Sequence, residues 1–186
     1  MRNVFLNDFN CLKVNRFAKI ISYGFYPVLR ALKSAINGFT SKQVNGFGLD
    51  ICERLLPDYI DFYNEFKWGN PEILKESIQY IKDSVLDGVN EEKVNQLLTE
   101  LEEVLPDTEE FTDPTGTYAL NAGCAVFELL EYLIDPEIDH LLNISSVITD
   151  TIDFKLSELE TDLSEEELLK HPELLKEWNN QLELSK

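Results

Sequence analysis

The sequence has few of the residues from which catalytic and metal sites are usually built. It holds only two histidines, and its three cysteines, Cys11, Cys52 and Cys124, include no CxxC pair. Two histidines exclude a histidine-rich zinc site, and the cysteine spacing matches no zinc motif. Gly46 and Gly48 form a GxG without a preceding strand or a third glycine, and GxxxxGK and GxSxG motifs are absent. We therefore predict no catalytic residue, no metal ligand and no cofactor.

Long apolar runs are absent as well. No uninterrupted run reaches the roughly 18 residues that a membrane-spanning helix needs. The most apolar N-terminal stretch, residues 20–29, is broken by Ser22, Gly24 and Pro27 and lacks a small-residue cleavage site, so we predict no signal peptide. Scattered cysteines without a secretory signal are typical of reduced thiols. We therefore expect the protein in the cytoplasm.

Glycine and proline are sparse, with 8 and 7 residues, and no segment has sustained strand alternation. Long helices are therefore expected, and the few prolines coincide with helix starts. Asn70-Pro71 and Asp135-Pro136 each pair an N-cap residue with a first-turn proline, and Ser164 with Glu167 forms a capping box. We predict an all-α, single-domain helical bundle of about seven or eight helices.

Three further helix predictions concern boundaries and burial. Ser41 is expected to cap a helix that ends near Leu55, with Pro57 opening a separate short helix. The helical stripe that starts at Ile73 ends in Val85 and Leu86, which predicts that both are buried. Residues 118–134 are apolar nearly all round, which is typical of a helix at the centre of a bundle.

The net charge of −19 is unevenly distributed. Residues 1–42 hold seven basic and one acidic side chain, whereas residues 43–186 hold 9 basic and 34 acidic ones, a net charge of −25. Such an acidic body repels phosphate backbones, so we predict no direct nucleic-acid binding by the main domain. We divide the chain into a basic amphipathic extension, residues 1–28, and an acidic all-helical domain, residues 29–186.

The extension has the pattern of a basic amphipathic helix. Such helices bind membrane surfaces or acidic partners. The favoured interpretation is that it packs on the acidic body of its own chain or of a second copy. Membrane or partner contact and disorder are the alternatives. Its apolar and basic residues interleave as Phe9, Leu12, Lys13, Arg16, Phe17, Lys19, Ile20 and Ile21.

Several short segments, taken in order, resemble one bacterial family. They are QVNGF at residues 43–47, CERLLPDY at 52–59, LEEVLP at 101–106, YALNA at 118–122 and LSEEEL at 163–168. The set resembles the YjaG-like family, or domain of unknown function 416, over residues 32–184. The resemblance implies a small, soluble, helical bacterial protein and brings no established activity.

Three departures from the family pattern stand out. Residues 1–28 look like an addition, and the chain ends soon after Trp178, where relatives tend to continue through another helix. Relatives often have an aspartate where this chain has Asn121. The loss of that carboxylate would weaken any site that required it.

Some residues could carry chemistry, although a structural role is favoured for each. Glu137 and His140 have the ExxH spacing of di-iron bundles, but those sites need two such motifs and two further glutamates. His171 precedes a proline and is expected at a solvated helix junction. A cluster of carboxylates could hold Mg²⁺ or Ca²⁺ if several faced one cavity. They are Glu128, Glu131, Asp135, Asp139, Asp150 and Asp153.

Five residues are candidate interaction or polar-clamp positions. Glu53 and Arg54 are adjacent and point apart on a helix. Arg54 could therefore bind an acid elsewhere in the chain, with Tyr59 nearby. Tyr118 and Asn121 are candidates because they lie in the family-like YALNA segment.

Three functions remain open at this point. The leading hypothesis is a non-enzymatic cytoplasmic interaction protein that forms a homo-oligomer or binds another protein. The alternatives are a carboxylate-based, metal-dependent or small-ligand-binding enzyme, and an acidic nucleic-acid mimic. The absence of catalytic signatures favours the interaction protein over the enzyme. Acidic charge alone is weak support for the nucleic-acid mimic, because solubility explains it equally well.

Overall fold

Eight helices make up the described part of the chain, residues 26–160 and 163–184 of a computed structural model. Within those ranges there is no strand. This confirms the predicted all-α bundle. The helices are α1 (Tyr26–Ile36), α2 (Ser41–Phe66), α3 (Pro71–Asp87), α4 (Glu91–Glu102), α5 (Pro114–Ile134), α6 (Ile138–Leu159), α7 (Glu165–Leu169) and α8 (Pro172–Leu184).

The helices pack in three layers around α2 and α5, which make the most extensive contact. Helices α3 and α4 cover one side of this central pair, while α6, α8 and α1 lie on the other. Twelve residues of α5 are buried, because a helix that is apolar nearly all round must be covered on all sides. The predicted central position of this helix is confirmed.

A glycine permits the close approach of the two central helices. A Cβ atom on Gly48 would lie 2.5 Å from Cδ1 of Leu129, a fully buried side chain of α5. Gly46, two residues earlier, is exposed, and a Cβ atom there would meet no atom within 4 Å. Of the two glycines in the GxG motif, only the second is therefore needed for helix packing.

The predicted helix break at Pro57 is wrong, because α2 continues through this residue to Phe66. Pro57 is exposed, whereas Leu55 and Tyr59 on either side of it are buried. Packing of that apolar face holds the helix together across the missing N–H, as tertiary contacts supply most helix stability in proteins. The N-cap is Thr40 rather than Ser41, in a capping box with Gln43.

The other predicted helix caps are confirmed in two cases and wrong in one. The caps at Asn70 and Ser164 are confirmed, but Asp135 does not cap α6. Its backbone N–H donates to Glu131 O and closes α5, so α6 begins later, after Glu137. The combination of a cap residue and a first-turn proline occurs instead at Asp113 and Pro114, where α5 begins.

The remaining predictions about the chain as a whole have mixed outcomes. Cys52 is a free, fully buried thiol, and burial raises its pKa. Cys124 is buried but is not a free thiol, so the prediction of reduced cysteines is wrong there. No helix among the described residues is long and apolar enough to cross a membrane. The predicted extension falls largely on residues outside the described ranges, and the domain division stays a prediction.

Candidate functional site

A buried ion pair joins helices that are distant in the sequence. The guanidinium of Arg54 on α2 donates to both carboxylate oxygens of Glu177 on α8, at 2.5 and 3.0 Å. Glu177 also accepts a hydrogen bond from Gln181, which in turn accepts one from Ser145 on α6. Asp50 accepts a further bond from Arg54 at 2.8 Å. We call these five residues the clamp.

The clamp is asymmetric in its exposure to solvent. The side chain of Glu177 is 3% exposed, whereas that of Arg54 is 34% exposed. Burial by itself would lower the pKa of Arg54, but the carboxylates of Glu177 and Asp50 raise that pKa above its ordinary value. A paired and hydrogen-bonded charge is tolerated in such a place, whereas an unpaired one is costly. The clamp therefore links α8 to both α2 and α6.

The other predicted clamp residues of α2 lie elsewhere. Glu53 forms an ion pair with Lys82 on α3, at 2.5 Å. The hydroxyl of Tyr59 donates to Val104 O at 2.6 Å and accepts from the backbone N–H of Asn70 at 3.2 Å. Burial raises the pKa of Tyr59 to about 12. Arg54 therefore binds a distant acid, as expected, but without Glu53 or Tyr59.

Tyr118 lies at the contact of α5 and α6 beneath a paired lysine. The ammonium group of Lys155 is 5.0 Å from the centroid of the Tyr118 ring. The same ammonium contacts Asp58 on α2 at 2.5 Å. The ammonium group therefore lies over the Tyr118 ring while it forms an ion pair between α6 and α2.

Asn121 is buried one turn further along α5, where it donates to the hydroxyl oxygen of Thr151 at 2.9 Å. The hydroxyl proton of Thr151 is used on Val147 O, so Thr151 can only accept from Asn121. An amide supplies the required donor, whereas an ionised aspartate would place two acceptors face to face. The departure from the family pattern at this position therefore satisfies a helix–helix contact.

The two residues of the ExxH spacing lie in different surroundings. Glu137 is the exposed N-cap of α6, and His140 contacts Glu128 on α5 instead, at 2.6 Å from its Nδ1. Asn143 donates to the other oxygen of Glu128 at 3.0 Å. Burial by itself would lower the pKa of His140, but the hydrogen bond to Glu128 and the charges of Glu128, Glu131 and other nearby carboxylates raise it.

Burial also shifts the pKa values of two carboxyl groups in the region of His140. Burial raises the pKa of Glu131 and of Glu102, and the charge of Glu128 raises that of Glu131 further. Across the described residues, however, no three His, Cys, Asp or Glu side chains converge in a way that could hold a metal ion. His171 lies at the α7–α8 junction, 3.4 Å from Glu160.

The end of α3 and its connection to α4 present the largest exposed apolar side chains of this layer. Leu86 is 90% exposed, and Val85 and Val89 are 45% and 47% exposed. The prediction that Val85 and Leu86 are buried is wrong, because the bundle covers this last turn of α3 only on the face of Ser84. Gly88, with φ +83°, turns the chain between these residues and α4.

Acidic residues flank these apolar residues along the chain. Asp83 and Asp87 on α3 and Glu91 and Glu92 on α4 are all exposed. The two nearest lysines in the sequence, Lys82 and Lys93, contact Glu53 and Glu76. We call the three apolar and four acidic residues together the tip.

Comparison with known proteins agrees with this architecture. The family described as a protein of unknown function, DUF416, matches residues 31–186. The chain belongs to this family. It is 29% identical over 139 residues to the uncharacterized protein YjaG of Escherichia coli K12, which covers 72% of this chain and 69% of that protein. The YjaG protein of Salmonella typhimurium is 27% identical over the same shares.

A solved structure has the same fold. It is that of a DUF416 family protein from Shewanella baltica, with a TM-score of 0.72 and 22% identity. The match covers 84% of this chain and 83% of the other. The family resemblance inferred from the motifs is therefore confirmed, and so is the helical fold.

Proposed function

We propose that this DUF416 protein is a non-enzymatic interaction protein that binds another protein chain through the tip. The observation that carries this proposal is the exposure of Leu86 together with Val85 and Val89, at the end of α3 and in its connection to α4. Contiguous exposed apolar side chains at the surface of a soluble bundle are typical of contact sites.

The polar groups singled out in the sequence support the same proposal. Arg54, Tyr59 and Asn121 each bind side chains or backbone within the bundle. Groups engaged in this way stabilise the fold and leave little capacity for binding and turning over a substrate. The tip differs because its apolar atoms face outward.

The size of the tip sets the expected strength of binding. Full burial of one Val or Leu side chain contributes about 1.5–3 kcal/mol. Leu86 is 90% exposed, but Val85 and Val89 are already about half buried, so the three residues together supply up to roughly 5 kcal/mol, from which the entropy cost of association is subtracted. This is the range of a reversible contact, and the acidic rim favours a partner with basic side chains.

Paired leucine substitutions test the proposal. Leu86→Ser removes the most exposed side chain of the tip, and Leu159→Ser is the matched control, since Leu159 is 80% exposed at the end of α6. Full-length wild type and both variants are used to capture proteins from the source cell, and the captured proteins are quantified. We expect partners that bind the wild type and Leu159→Ser but are reduced at least tenfold on Leu86→Ser.

Equal capture by all three chains would contradict the proposal. Circular dichroism spectra that match the wild type exclude misfolding as the reason for lost binding. The cytoplasmic location stays a prediction, and fractionation of the source cell checks it.

A further inference from the structure

We infer that α8 is a strap that opens and closes as a unit while the rest of the bundle stays folded. The clamp holds this strap closed, since Glu177 joins α8 to α2 and Gln181 joins it to α6. The strap is separate from the tip, which belongs to α3 and α4. The composition of its buried face, the place of its apolar residues and the pairing of Arg54 all support such opening.

The buried face of α8 is half polar. Its four buried residues are Leu174, Glu177, Trp178 and Gln181. Helix α4 has nearly the same length, 12 residues against 13, and also lies in an outer layer, but its four buried residues are all apolar. Separation of α8 therefore exposes two large buried apolar side chains, whereas separation of α4 would expose four. Because apolar burial is the main force that holds packed helices together, α8 is the more weakly held of the two.

The buried polar groups add little to the free energy that holds α8 in place. Glu177 gives up two hydrogen bonds to Arg54 when α8 leaves, and Gln181 gives up one to Ser145. Water supplies replacement bonds in the open state, so the net contribution of each bond is small. The hydration that both charges regain offsets much of the attraction lost from the ion pair. These groups therefore specify where α8 docks more than how tightly it is bound.

The apolar residues of α8 lie largely apart from the main core. Leu174 and Trp178 pack with Leu156 of α6 in a second, smaller cluster. Towards the end of α8, Leu182 and Leu184 are half-buried against the edge of the main core. Opening of α8 therefore breaks the second cluster and uncovers this edge, while the side chains between α2 and α5 stay packed.

Both charges of the clamp are accommodated when the strap is open. Arg54 is already 34% exposed, and it keeps its 2.8 Å contact with Asp50 one turn earlier on α2. Glu177 moves into water together with α8. Opening also exposes Ser145 and Leu156 on α6, so a cation and an apolar side chain become accessible on the surface that α8 covers.

Native-state hydrogen exchange of the full-length chain tests the inference. The backbone amides of Glu177 and Trp178 on α8 are compared with those of Leu97 and Leu98 on α4, since both pairs lie away from fraying helix ends. In the wild type, the α8 pair should exchange at least about tenfold faster than the α4 pair after correction for intrinsic rates. Urea below the unfolding transition should accelerate the α4 pair and leave the α8 pair nearly unchanged, because opening of one helix exposes little surface.

Two substitutions separate opening of α8 from unfolding of the whole bundle. Arg54→Gln leaves the carboxylate of Glu177 buried without its cation in the closed state, and should accelerate exchange of the α8 pair about 100-fold. Tyr59→Phe is the matched control, because the bonds of the Tyr59 hydroxyl to Val104 and Asn70 stay in place when α8 opens. It should accelerate the α4 pair about 30-fold and leave the α8 pair within about twofold of the wild-type rate.

Three results would overturn the inference. Equal exchange rates and equal urea dependence of the two pairs in the wild type would mean that α8 separates only when the whole bundle unfolds. Equal acceleration of both pairs by Tyr59→Phe would have the same meaning. An unchanged rate of the α8 pair in Arg54→Gln would mean that the clamp does not hold the strap closed.

Discussion

The two charges of the clamp differ in exposure, so we expect their removal to change stability unequally. Arg54→Gln leaves Glu177, which is 3% exposed, buried without its cation. Glu177→Gln leaves Arg54, which is 34% exposed and still contacts Asp50 at 2.8 Å. Removal of one partner of a buried pair is costly when the remaining charge cannot reach water. We therefore expect the arginine substitution to be the more destabilising of the two.

The magnitudes follow from the same geometry. Loss of one partner from a buried ion pair costs about 3–5 kcal/mol, and we expect about 3 kcal/mol for Arg54→Gln because Gln181 still donates to Glu177. Glu177→Gln should cost about 1 kcal/mol, since a partly exposed charge is screened by water. The double variant leaves no buried charge, so we expect about 2 kcal/mol, less than the sum of the single effects.

Urea unfolding of the four chains measures these differences. Fluorescence of Trp68 and Trp178 and far-ultraviolet circular dichroism should give the same midpoints, because one signal alone would be sensitive to local changes near Trp178. At roughly 2–4 °C per kcal/mol for a chain of this size, Arg54→Gln should also lower Tm by about 6–12 °C. Asp50→Asn is the control and should cost less than about 0.5 kcal/mol as an exposed i,i+4 pair.

Two results would refute this reasoning. One is a Glu177→Gln variant as unstable as Arg54→Gln, which would mean that burial of the remaining charge does not determine the cost. The other is additivity of the two substitutions, which would mean that the side chains do not stabilise each other.

Four further predictions follow from other parts of the bundle. Tyr59→Phe should lower the free energy of unfolding by about 2 kcal/mol, since Val104 O and the backbone N–H of Asn70 both lose their partly buried bonds to the Tyr59 hydroxyl. Tyr80→Phe, which breaks two bonds to the backbone of Asn90 at an exposed position, should cost less than half of that in the same urea assay. Gly46→Ala should stabilise the protein by up to about 1 kcal/mol. Gly48→Ala should destabilise the protein by about 1–2 kcal/mol, because a buried leucine side chain must move. A gain of stability in both variants would contradict the packing argument. The folded pKa of His140 lies above its ordinary value of 6.5, so its contribution to stability should be complete below about pH 6.5 and decline as the pH rises through the folded pKa. His140→Gln should flatten this decline between pH 6 and 8. An unchanged slope would mean that His140 is not the group responsible. Added Mg²⁺, Mn²⁺ or Zn²⁺ should leave Tm unchanged, whereas stabilisation would favour the alternative hypothesis of a carboxylate-based metal enzyme.

Local sequence signals determined which segments are helical and where most of the helices begin. Asn70 and Ser164 cap their helices as predicted, because a side-chain acceptor and the first backbone N–H groups lie within three residues of each other. The all-round apolar pattern of residues 118–134 was enough to place α5 at the centre, since such a helix has no face for water. These interactions depend only on neighbours along the chain.

Other features were decided only by the tertiary structure. Pro57 is a helix breaker in isolation, yet α2 runs through it because Leu55 and Tyr59 are held in the core on both sides. Arg54 finds its acid 123 residues away in Glu177, and no spacing rule connects positions on different helices. The sequence alone also predicted burial for Leu86, since helical periodicity marks a face without saying where the covering layer ends. Helix formation is a short-range property, whereas partners and exposed surfaces are set by how the layers meet.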